Sequence, residues 1–219
     1  MDIYHDDDGG FEKPRMHPYI ATRLGEAGFV DFKREPDRIA HVLEDFVPHN
    51  HEPSIQTFYR LLTWINGPDS VLESCDCALR GPDAHEAEIS QHPLCMHGRL
   101  MLMYRDQSAN CDERFDLLYE TLTNELDAAD RGFTRNEGAI GFSSSPALYK
   151  ELCPVKPHKD GVLMTTRQTP GNGYQLLLNF IAFGSGKDEA MKNLGRVFQN
   201  LESACRRTSE TLKSTVNSR

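Results

Sequence analysis

The residues best equipped for chemistry lie between positions 75 and 97. Cys75, Asp76 and Cys77 stand in series, and His92, Cys95 and His97 follow within a short span. Thiolate and imidazole are natural ligands of zinc and of haem iron. His97 or His92 is therefore the expected axial ligand of a bound iron, with Cys77 as the alternative ligand or a pocket residue. A Cys-x-Cys pair lacks the two-residue gap that lets both sulfurs of a zinc knuckle reach one tetrahedral metal, so zinc is the second choice of cofactor. The same residues also read as buried thiols and surface histidines.

Residues 99–105 alternate strictly. Leu100, Leu102 and Tyr104 share one face and Arg99, Met101, Met103 and Arg105 the other, the period of a β-strand. Two thioethers bracketed by guanidiniums complement a flat apolar ligand with carboxylates at its edge, because sulfur packs on the macrocycle and guanidinium pairs with carboxylate. Haem, with its two propionates, is one such ligand. The competing reading is a Met-containing core face whose end arginines reach solvent.

The remaining motifs narrow the field. His158-Lys159-Asp160 has the His-x-Asp form of iron oxygenases with a facial triad, but no histidine follows position 158 to complete it in that order. His158 is kept as a candidate proton shuttle, beside its ordinary reading as a solvated loop histidine. His49-Asn50-His51-Glu52 reads as a metal loop or as groups that satisfy the orphan N–H donors of the next helix. Ser143-Ser144-Ser145-Pro146 lacks the flanking glycines of a nucleophile elbow, and no glycine-rich phosphate loop is present. A Cys75–Cys77 redox pair would close a small, strained ring that is readily reduced.

These groups need elements to position them. Residues 36–47 put Ile39, Val42, Leu43 and Phe46 on one helical stripe, and residues 54–66 do the same with Ile55, Phe58, Leu62 and Ile65 before Gly67-Pro68. Residues 69–95 read as loop. Phe115, Leu118, Leu122 and Leu126 predict a third helix over 112–130. Strands are predicted over 139–143, 162–167 and 174–183, the first two separated by a proline-rich loop. A last helix starts at Ser185-Gly186-Lys187-Asp188 with Met191, Leu194, Phe198 and Leu201 on its buried face. The pattern is an α+β domain over residues 36–207: a mixed sheet of about four strands with helices packed on it, preceded by two N-terminal helices. An acidic mobile arm with at most one short element (1–35) and a frayed polar tail (208–219) flank it.

Composition bounds the partners. The 219 residues are 38% hydrophobic and 26% charged, enough for one core. A net charge of −9 repels phosphate backbones and anionic membrane faces, so a small-molecule substrate is expected, with neither nucleic acid nor membrane. Homo-oligomerisation stays open. The acidic N-terminus and the lack of a long apolar run predict neither a secretory signal nor a membrane span. Six cysteines are too few for a disulfide scaffold, which points to a reducing cytoplasm.

Taken together, several segments resemble the YqcI/YcgG family, which includes haem-dependent N-oxygenases of amino-acid-derived metabolites. The resemblance rests on Ser74-Cys75-Asp76-Cys77-Ala78-Leu79, the helix from Phe115, the Ile140-Gly141-Phe142-Ser143-Ser144-Ser145-Pro146-Ala147 strand and the late apolar strand ending at Phe183, within residues 54–205. It implies a haem- or iron-dependent oxygenase acting on a small amino-acid-like metabolite, with Cys77 as the position matched. A non-catalytic small-molecule- or metal-binding module is the alternative.

Overall fold

The computed structural model describes residues 15–16, 19–21, 28–30, 32–33, 35–42, 49–84, 91–129, 137–158 and 161–216. Three short strands come first: β1 (Arg15–Met16), β2 (Tyr19–Ala21) and β3 (Gly28–Val30), where the sequence led us to expect at most one element. A 3-10 turn at Pro36–Arg38 leads into α1 (Ile39–Val42). Of the first predicted helix only this short start is described, and Leu43 and Phe46 lie outside the described residues. The second predicted helix is α2 (Pro53–Asn66), and its stripe of Ile55, Phe58, Leu62 and Ile65 is fully buried.

The frame is then β4 (Leu72–Ala84), β5 (Leu94–Tyr104), α3 (Asp112–Ala129), β6 (Gly138–His158), β7 (Gly161–Gly184) and α4 (Lys187–Val216). The sheet order is β1-β4-β5-β7-β6, and every pairing is antiparallel, so the α+β class holds while the sheet is not mixed. Sequential hairpins explain this: β4–β5 and β6–β7 are direct returns, which need no crossover helix.

Two strands hide from periodicity for identifiable reasons. β4 was expected to be loop. A register irregularity between Ser74 and Asp76 shifts its phase, so that Leu72 and Ser74 are buried on one phase and Cys77 on the next. β6 runs through Pro146, Pro154 and Pro157 and is the edge of the sheet, where one side of the strand has no ladder to lose. Irregularities in register follow at Pro146/Leu148 and Pro154/Lys156.

Helices α2, α3 and α4 cover one sheet face. Leu100, Leu102, Leu176, Leu178 and Phe180 join Phe58, Leu122, Leu194 and Phe198 in one core. Phe58 stacks on Phe198 at 4.7 Å between ring centroids, and Phe180 meets Phe198 edge-on at 5.1 Å. Gly98 makes room for this cluster: a Cβ there would lie 2.7 Å from the Phe180 ring. The expected loose tail beyond 207 is helix as far as Val216. Thr208, Ser209 and Leu212 are buried, and the Ser209 hydroxyl accepts the Val71 N–H at 3.1 Å. Among the described residues no helix is long and apolar enough to cross a membrane.

Candidate functional site

The alternation read from 99–105 is present in β5, and it places the candidate residues on the sheet face opposite the helices. Arg99 pairs across the strands with Ala78 and Asn179, Met101 with Asp76 and Leu177, and His97 with Arg80 and Ile181. Met103 is buried and Met101 half-buried. The Arg99 guanidinium donates to the Asp76 carboxylate at 2.9 Å, with side-chain exposures of 12% and 8%. This is a nearly dry ion pair, which spends the charge that an anionic ligand edge would need.

Arg105 does not belong to that wall. It follows the last residue of β5, its backbone N–H donates to Val71, and its guanidinium donates to the carbonyls of Ile65 and Gly67. It therefore caps the C-terminus of α2, satisfying carbonyls that have no helical partner. Burial pulls its pKa below the usual guanidinium value, with Glu73 opposing.

The ligand candidates are separated. Cys77 pairs in register with Leu100 and is fully buried in the helix-facing core, whereas His97 lies on the other face of the same sheet. His97 Nε2 is 3.1 Å from the Asp83 carboxylate, which also pairs with Arg80 at 3.0 Å. His92 contacts the Ser185 hydroxyl at 3.2 Å, near the start of α4. His158 pairs with Gly161 at the far end of the β6–β7 ribbon, some 19 residues beyond the level of His97, or roughly 60 Å of strand. Among the described residues no group of three or more His, Cys, Asp or Glu side chains is arranged to hold a metal. Cys77 and His97 lie on opposite faces of the sheet, so the two do not ligate one metal together.

Other polar groups on and around this sheet are engaged as well. Cys75 Sγ donates to Gln175 Oε1 at 3.3 Å, and Gln175 Nε2 donates to the Ser145 hydroxyl at 2.9 Å. Asn110 donates to the Tyr104 carbonyl and the Tyr149 phenol and accepts the Tyr104 N–H. Burial pushes the Tyr104 phenol up to about 12 and raises those of Tyr149 and the Cys95 thiol. These groups are held protonated, which suits hydrogen-bond donors and not nucleophiles.

A second place has uncommitted charge. The Pro36–Arg38 turn, the outer side of α2 and the C-terminal half of α4 enclose a groove of about 520 Å³. Its centre is Trp64, with the Arg206 guanidinium 4.6 Å above the ring. Arg206 is fixed by Glu202 four residues earlier, at 2.8 and 3.2 Å. Arg60 donates to the Thr57 hydroxyl at 2.9 Å but forms no ion pair among the described residues. Asp37 and Asp69 also line the groove, both exposed. Among the described residues its lining contains no His, Cys or Ser, and its hydroxyls are those of Tyr59 and Thr63. No motif marks this groove, because its walls come from three separated segments. The legible trace is Arg60 and Trp64 at i and i+4, beside rather than within the buried stripe of α2.

Comparison with protein-family models, curated proteins and solved structures yields no match to this chain.

Proposed function

We propose that this chain is a non-catalytic binding protein for a small zwitterionic, amino-acid-like metabolite, seated in the groove between α2 and α4. The observation that carries the reading is a guanidinium, Arg60, with no ion pair among the described residues, in the same groove as exposed carboxylates and a large aromatic ring. Guanidinium pairs with the ligand carboxylate, Asp37 or Asp69 with its ammonium, and the Trp64 and Tyr59 rings with its side chain. The volume falls in the range of small-molecule sites. The strongly acidic chain favours such a ligand over nucleic acid, in a reducing cytoplasm.

Trp64 is the single tryptophan, so its fluorescence reports on the groove alone. Titration with free amino acids should shift it saturably, and amidation of the ligand carboxylate should weaken the effect. Arg60→Gln should raise the dissociation constant roughly 10- to 100-fold, as expected for a hydrogen bond to a charged group. No saturable change with any amino acid at millimolar concentration overturns the proposal. A Soret band after expression with haem supplementation would favour the oxygenase reading in its place.

A further inference from the structure

The charges that line the groove between α2 and α4 do not balance. Asp37, Asp69 and Glu202 stand against Arg60 and Arg206, and Glu202 and Arg206 pair with each other at 2.8 Å. One guanidinium and two carboxylates are left around the same space. None of the three has an ion pair among the described residues: Arg38, beside Asp37, pairs with Glu35, and Lys213 donates to the backbone carbonyl of Asp69. A ligand with one carboxylate and one ammonium satisfies Arg60 and one aspartate, and strands the other.

Helix α2 sets the order along the groove. Arg60, Trp64 and Gly67 follow at i, i+4 and i+7 on one side of it, and Asp69 lies just past its C-terminus. Seven residues of helix put roughly 10 Å between Arg60 and Gly67. A carboxylate held at Arg60 and a cation held at Asp69 therefore sit toward opposite ends, with Trp64 between them. That is the layout of an extended amino acid whose side chain ends in a cation. Its aliphatic stem would cross the Trp64 ring, where the Arg206 guanidinium already lies 4.6 Å from the centroid with its charge offset by Glu202.

We propose that the ligand is a basic amino acid of the lysine, ornithine or arginine class. Its carboxylate binds Arg60 and its side-chain cation Asp69, which leaves Asp37 for the α-ammonium. The inference rests on the groove reading above and narrows it from a zwitterion to a ligand with a net positive charge. The chain, at −9, attracts such a ligand at long range as well.

Trp64 fluorescence of the full chain tests the two levels separately. Lysine is compared with norleucine, and arginine with citrulline, pairs alike in shape that differ in side-chain charge. The cationic member should bind roughly 5- to 10-fold tighter at low ionic strength, and salt should narrow the gap. Asp69→Asn should bring lysine down to the affinity of norleucine, whereas a merely structural role for Asp69 would weaken both alike. Saturable binding with equal affinity within each pair overturns this inference and leaves the amino-acid reading standing. A lysine preference that survives Asp69→Asn overturns it too. No saturable change with any amino acid overturns both.

Discussion

The two faces of β5 carry residues of similar size in strict alternation, yet they do different work. On the helix-covered face Leu100 and Leu102 are fully buried against aromatic rings from α2 and α4. On the opposite face Arg99 and His97 are each held by a carboxylate, Asp76 and Asp83. A face whose charges are already paired is scaffold, however suggestive its residue types. The groove differs because Arg60 has no ion pair there among the described residues. Commitment of charge, more than its density, separates a binding wall from a structural one.

The largest effect should come from the covered face. Phe58→Ala removes a fully buried ring that touches both Phe180 and Phe198. We expect a loss of about 3–5 kcal/mol in urea unfolding, a large share of the ~5–15 kcal/mol typical of a domain. A loss below about 1 kcal/mol would mean that this face is not the core.

The open face breaks differently. Asp76→Ala leaves the Arg99 guanidinium nearly buried without its carboxylate and should cost about 3 kcal/mol. Replacing both residues by Met removes the pair and its desolvation together, and should come within about 1 kcal/mol of the parent. A double variant as damaged as the single one would show that these charges serve something beyond each other.

Much of the frame was legible because one period governs each element. Helices α2 and α3, the buried stripe of α4 and the alternation of β5 all follow from spacing. β4 was not legible, since its phase changes between Ser74 and Asp76 and no single alternation spans it. Nor was β6, because its prolines signal a loop unless the strand is known to be an edge. The end of α4 looked like a tail because Thr208 and Ser209 are polar, yet the Ser209 hydroxyl accepts the Val71 N–H and Leu212 is buried beside them. The soft-ligand cluster was close in sequence but split across the sheet, as neighbouring strand positions are whenever their parity differs. The groove needed tertiary structure to assemble.

The smallest predicted effect tests the covered side at its margin. His49 precedes α2, and its Nδ1 is buried without a hydrogen bond among the described residues. Burial, helped by nearby Lys187 and opposed by Glu52, lowers its pKa below 6.5. The unfolded chain therefore takes up this proton first as the pH falls. Stability should decline as pH drops through 6.5 toward the lower folded value, and His49 should contribute no slope well above 6.5. His49→Gln cannot titrate, so the difference between parent and variant should grow in that acidic window and stay constant above it. An opposite slope, with the parent gaining stability on acidification, would mean that Glu52 dominates and that this end of α2 behaves like the charge-paired open face.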